Sequence, residues 1–188
     1  LNLGGGYGVR YTQEDEAIDI PARLKELAAH LKEETERLGL PMPRFLMEPG
    51  RSIVADAGMT LYTVGSVKRI PGYKQYAAVD GGMTDNPRYA LYQSRYTVYH
   101  AHKSGSMERF DVVGRCCESG DIIQPGVELP GDTCRGDILA VCTTGAYNYS
   151  MASNYNRLPR PAVVMLTPDR IYEAVRRETF ADLTALDL

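Results

Sequence analysis

Two stretches of this chain have the residue types and spacing to do chemistry. Gly4-Gly5-Gly6-Tyr7-Gly8 follows a short apolar run, Leu1–Leu3. Glycines let a backbone turn tightly and present N–H groups to an anion with no Cβ in the way. Such a loop suits a phosphate, and it suits an ordinary flexible βα turn equally well. Glu48-Pro49-Gly50-Arg51 ends the next apolar run, Phe45–Met47. A short helix expected from Ser52 onward would turn further N–H donors toward the same anion. Glu48 adds a carboxylate and Arg51 a fixed cation; the plain alternative is an ion pair beside a Pro-Gly turn. Arg115–Asp121 mixes thiols, three charges and a glycine between two β runs and reads as an exposed loop. On its own a cysteine is more often packing than chemistry. Cys116, Cys134 and Cys142 keep the packing reading, and His30, His100 and His102 read as ordinary helix and strand residues.

Two textures must position these residues. From Leu1 to about Gly58 the chain alternates strand and helix, as βα units do. Leu24, Leu27, Ala28, Leu31, Thr35 and Leu38 recur at helical spacing, Pro21 suits the first turn, and Gly39 suits the C-terminal cap. From Met59 onward short β-rich runs follow one another: Leu61–Val67, Tyr76–Val79, Tyr96–His100, Phe110–Val113, Ile138–Cys142 and Ala162–Leu166. Gly, Pro and Asp separate them, the pattern of an antiparallel sandwich or barrel. A last hairpin turns at Pro168-Asp169, and Thr179 with Asp182 caps a short C-terminal helix. The expected division is therefore 1–58 and 59–188. Two βα units cannot bury their strands on both faces, so more of an α/β domain is expected ahead of Leu1.

Composition narrows the function classes. The 188 residues are 44% hydrophobic and 24% charged, with a net charge of −3, the balance of a globular domain. No stretch approaches the roughly 20 apolar residues of a membrane span, and scattered Lys and Arg leave no nucleic-acid or membrane footprint. The four cysteines form no C-x-x-C or zinc spacing and read as reduced thiols of a cytoplasmic protein.

Leu1-Asn2-Leu3-Gly4-Gly5-Gly6 followed by Glu48-Pro49-Gly50-Arg51 resembles the fold-type III, alanine-racemase-like pyridoxal-phosphate decarboxylases. Asp80-Gly81-Gly82-Met83-Thr84-Asp85-Asn86-Pro87-Arg88, Gly114-Arg115-Cys116-Cys117-Glu118-Ser119-Gly120-Asp121 and the run Gly145–Asn156 resemble the diaminopimelate decarboxylase branch. Tyr7 and Tyr89 depart mildly, standing where Phe and Pro are frequent in that family.

The resemblance implies the last two βα units of a TIM-like cofactor barrel, then a C-terminal antiparallel β-sandwich or barrel domain whose tail packs back on the barrel. It implies pyridoxal 5'-phosphate, with its phosphate held by the Gly4, Gly5, Gly6 loop and the Gly50-Arg51 backbone, and with Pro49 beside the cofactor. Glu48 would pair with the pyridine nitrogen and keep it protonated, as the electron sink requires. Arg51, Arg88, Tyr92, Glu118 and Tyr147 would contact substrate, and Tyr147 the cofactor too. Arg grips a carboxylate and Glu accepts from an ammonium, so Arg88 with Glu118 suits the zwitterionic far end of meso-diaminopimelate. Cys117 would return a proton after CO₂ leaves. It also implies a homodimer with shared active sites, and a cofactor-bearing lysine that no motif here supplies, so this piece alone is expected to be inactive. The alternatives are decarboxylation of ornithine, arginine or carboxynorspermidine, and a non-catalytic relative that binds a partner.

Overall fold

The computed structural model describes residues 1–188. Near the N-terminus the two apolar runs meet through a parallel bridge between Asn2 and Leu46. Helix α1, Ile20–Arg37, lies between them, with the Asp19 carboxylate accepting from the Ala22 N–H at its start. The second run is not buried in this chain. Leu46 is 52% and Met47 37% exposed, because no further strand or helix covers their faces. Helix α2 is a single turn, Arg51–Val54.

The β region is one curled six-stranded sheet: β1 Met59–Arg69, β2 Gln75–Val79, β3 Val98–His100, β4 Met107–Val113, β5 Ile122–Pro130 and β6 Ile138–Cys142. Their order is β3-β6-β1-β2-β4-β5. The expectation of an antiparallel sandwich or barrel holds for the barrel-like curl of the sheet and is corrected in two respects. There is no second packed sheet over this one, and β2 pairs with β4 in parallel, Tyr76 opposite Asp111. The 11-residue β1 explains the curl. Met59–Thr63 pairs with β6 and Val64–Arg69 with β2, with a register break between Val64 and Ser66. A bulged strand bends and twists more strongly, so β1 turns from one half of the sheet into the other at Gly65. Side chains alternate across a strand, and Tyr62, Val64, Val79, Phe110, Val112 and Leu139 all turn inward onto a single core.

Helix α3, Arg88–Tyr92, follows β2, and α4, Asn148–Met151, follows β6. A hairpin of β7 (Val163–Leu166) and β8 (Ile171–Val175) stands apart from the main sheet, and α5 (Phe180–Thr184) ends the chain behind the expected Thr179–Asp182 capping box. No helix is long and apolar enough to cross a membrane.

The N-terminal segment is locked to the sheet where α2 ends. The Gly145 N–H donates to the Ala55 carbonyl (3.0 Å) and the Thr144 N–H to the Gly58 carbonyl (3.0 Å). A Cβ on Gly58 would stand 2.6 Å from the Gly145 nitrogen, so the two backbones can touch only as a glycine pair.

Candidate cofactor and substrate site

The two N-terminal loops leave the same end of their paired strands. Leu46 N–H donates to the Leu1 carbonyl, Leu3 N–H to Leu46, and Glu48 N–H to Gly4, at 2.9, 2.9 and 2.6 Å. This ladder brings Gly4–Gly6 beside Glu48–Arg51, as a shared anion site requires. Gly5 faces the Glu48 carbonyl so closely that no side chain fits, and Gly4 and Gly6 hold φ of +68° and +85°. The N–H groups of Gly5, Gly6, Gly50 and Arg51 have no partner in the chain. Four free donors on two touching loops, with bare glycine at the point of approach, fit the phosphate of pyridoxal phosphate. Asn2 ties the loops together: its Oδ1 accepts from the Gly4 N–H at 2.8 Å and its amide donates to the Glu48 carboxylate. Sequence reasoning passed over Asn2; a polar residue between two strand leucines was the available signal.

Tyr147 carries the contact from the sheet to these loops. It sits at φ +72°, a conformation uncommon outside glycine, in the turn that the Gly58–Gly145 contact anchors. A Cβ on Gly50 would lie 2.7 Å from its hydroxyl. The Arg51 guanidinium lies 5.7 Å from the Tyr147 ring and 5.6 Å from the ring of Tyr11, which sequence reasoning also missed.

Arg88 opens α3 on the other side of Tyr147. Its guanidinium lies 5.4 Å from that ring and 5.3 Å from the ring of Tyr92, and Nη1 reaches the Met151 sulfur at 3.7 Å. Arg88 is only 6% exposed, its Nε has no partner, and neither Arg51 nor Arg88 meets a carboxylate. A buried cation without a counter-charge is costly. Both arginines line a cavity of about 540 Å³ together with Tyr92, Ser94, Tyr147 and Met151. Behind Arg88 stands Tyr96, whose hydroxyl burial pushes toward higher pKa while the nearby Arg88 charge pulls it back.

Cys117 and Glu118 do not line this cavity. They are exposed on the loop between β4 and β5, where the Tyr155 hydroxyl reaches the Glu118 carboxylate at 3.4 Å and the Glu118 charge raises the Tyr155 pKa. A larger cleft of about 1390 Å³ lies along Thr12–Glu14, Arg69–Gln75 and Glu108–Asp111. It contains none of the chemistry-bearing residues and mixes both signs of charge, so the smaller cavity is the better candidate.

Comparison with known proteins bears on this geometry. A family model described as the C-terminal sheet domain of pyridoxal-dependent decarboxylases matches residues 17–145. The chain is 50% identical over 190 residues to the diaminopimelate decarboxylase of Bacillus subtilis, covering 100% of this chain and 43% of that protein. Two crystal structures of diaminopimelate decarboxylases with L-lysine align with it. That from M. jannaschii has a TM-score of 0.89 and 33% identity over 100% of this chain and 42% of its own. That from Helicobacter pylori has a TM-score of 0.87 and 33% identity over 99% and 44%. The chain thus spans less than half the length of the relatives it matches, and the match covers both the cavity and the loops around it. On these grounds the chain belongs to the pyridoxal-dependent decarboxylase family.

Proposed function

We propose that this chain is the C-terminal part of a diaminopimelate decarboxylase, which removes CO₂ from meso-2,6-diaminopimelate to give L-lysine. The observation that carries this reading is the pair Arg51 and Arg88, two cations without carboxylate partners in one cavity. A substrate with carboxylates at both ends supplies the missing counter-charges. An ornithine-type substrate ends in an amine and would leave one arginine unpaired. The 50% identity to the Bacillus subtilis enzyme supports the same choice.

Gly4–Gly6 and Gly50–Arg51 would hold the cofactor phosphate through their free N–H groups, and Glu48, steadied by Asn2, would face the pyridine nitrogen. Bound there, pyridoxal phosphate supplies the electron sink for CO₂ loss. Arg88 and Tyr92 would orient the substrate, Tyr147 would close the gap between substrate and cofactor loops, and the Cys117 Sγ would hold the proton that replaces CO₂. Residues 1–58 read as the end of a (β/α)₈ barrel, supported by the parallel Asn2–Leu46 bridge and by apolar faces left bare at Leu1, Leu46 and Met47. The β domain would be 59–188, with its C-terminal hairpin lying against that barrel, in a cytoplasmic protein.

Cys117 and Glu118 are exposed and do not line their own chain's cavity, which supports a two-fold dimer in which each loop completes the partner's site. The test is CO₂ release by the full-length holoenzyme. Diaminopimelate should be turned over at a kcat/KM far above that for ornithine or arginine. Preference for either of those would sink the assignment, and no release from any would favour a non-catalytic relative.

A further inference from the structure

We infer that Asp121 is the positioning residue that sets the Cys117–Glu118 loop, through a carboxylate strapped between two segments of bare backbone. The inference rests on the role proposed above for that loop. The loop leaves β4 at Val113 and re-enters the sheet at Ile122, and its tip is exposed. Something must hold the tip in register if a thiol on it is to meet a reacting carbon.

Asp121 is 4% exposed and pairs with no cation. Its Oδ2 accepts the Cys116 N–H at 2.6 Å, one residue before the thiol, and its Oδ1 accepts the Met83 N–H at 2.6 Å. Each oxygen therefore holds a different stretch of chain. Space around the carboxylate is made by glycine: a Cβ on Gly82 would sit 2.6 Å from Oδ1, and Gly114 leaves no room either. Backbone bonds close the same frame, with Gly114 N–H to the Asp121 carbonyl at 2.9 Å, Asp121 N–H to Glu118 at 3.1 Å, and Arg115 N–H to Gly81 at 3.1 Å. The tip itself has one side-chain tie beyond its own residues, the Tyr155–Glu118 contact. The strap thus fixes Cys117 relative to the Gly81–Met83 turn, and that turn leads directly into α3.

Asparagine fits the same volume but has one acceptor oxygen where Asp121 uses two. One strapped N–H would face an amide N–H₂ and be released. A reacting group misplaced by about 1 Å costs on the order of a hundredfold in rate. In full-length holoenzyme, Asp121→Asn should lower kcat by about that factor with cofactor affinity unchanged. Unchanged kcat overturns the inference.

Mixed dimers separate positioning of the loop from general damage. Asp121→Asn chains are mixed with chains carrying Arg51→Ala and Arg88→Ala, beside a control in which Cys117→Ala replaces Asp121→Asn. If Asp121 acts through the loop, both mixtures recover roughly a quarter of wild-type activity at random subunit exchange, because one site per heterodimer is intact. Recovery in the control alone means that the Asp121 defect lies in its own chain's cavity, and the inference fails. If the control stays dead, the shared-site reading fails instead. The alkylation rate of Cys117 by iodoacetamide then decides: a several-fold change in Asp121→Asn supports the strap, and an unchanged rate overturns it. Should Asp121→Asn not fold, Gly82→Ala, which drives a methyl against the same carboxylate, takes its place with the same outcomes.

Discussion

On the proposed function, replacing Arg88 by methionine in the full-length protein should weaken substrate binding without weakening the fold. Arg88 is 6% exposed, packed between the rings of Tyr92 and Tyr147, and unpaired with any carboxylate. Methionine keeps most of the apolar stem against those rings. It also removes a buried charge whose desolvation nothing in the chain offsets. Thermal stability should therefore hold or rise. A hydrogen bond to a charged group is worth about 1.5–3 kcal/mol, so KM for diaminopimelate should rise roughly ten- to a hundredfold. Because the lost contact binds substrate and transition state alike, kcat should change little. Steady-state kinetics and a thermal melt on the same preparation decide it. A fall in stability with unchanged KM would refute the reasoning, since Arg88 would then be a packing residue.

Gly50→Ala places a methyl 2.7 Å from the Tyr147 hydroxyl, so cofactor titration followed by absorbance should show weaker pyridoxal phosphate binding; unchanged affinity would separate Tyr147 from the cofactor loop. Gly145→Ala drives a methyl into the Val54 and Gly58 backbones and should cost about 1–3 kcal/mol or more, read as a lower denaturant midpoint; a neutral outcome would mean that the junction yields easily. The Arg160 guanidinium holds the Glu178 carboxyl at about 2, below its ordinary value of 4.5. A depressed carboxyl contributes stability that is present above its unfolded value and lost as pH falls through the folded one. Protease susceptibility of the β7–β8 hairpin should accordingly rise between about pH 4.5 and 2, and Glu178→Gln should flatten that rise.

The glycine loop and the Glu-Pro-Gly-Arg turn stood out as candidate anion-binding segments because backbone freedom and fixed charge are properties of single residues, whereas Arg88 was picked out only through the family resemblance. Strand β5 could not. Its Gln124-Pro125-Gly126 centre reads as a turn, yet the strand runs through it with Gly126 at φ +67° and the register slipping opposite Phe110 and Val112. The parallel β2–β4 pairing was equally hidden, since alternation tells which face is buried and not which neighbour a strand takes. Asn2, Tyr11 and Asp121 each reach a segment far away in the chain, at Glu48, Arg51 and Met83 respectively, and spacing carries no trace of those long-range partners. That Cys117 does not line the cavity is likewise a matter of topology.

Strand β1 also joins two closures of unequal reach. Its second half meets β2 across a short turn, whereas Met59–Thr63 meets Ile138–Cys142 far along the chain. It is the latter pairing that carries Gly145 to Gly58 and Tyr147 to Gly50 and Arg51. The cavity thus depends on the longest-range pairing of the sheet, and separating β6 from β1 would dismantle it without breaking the pairings of β2, β4 and β5.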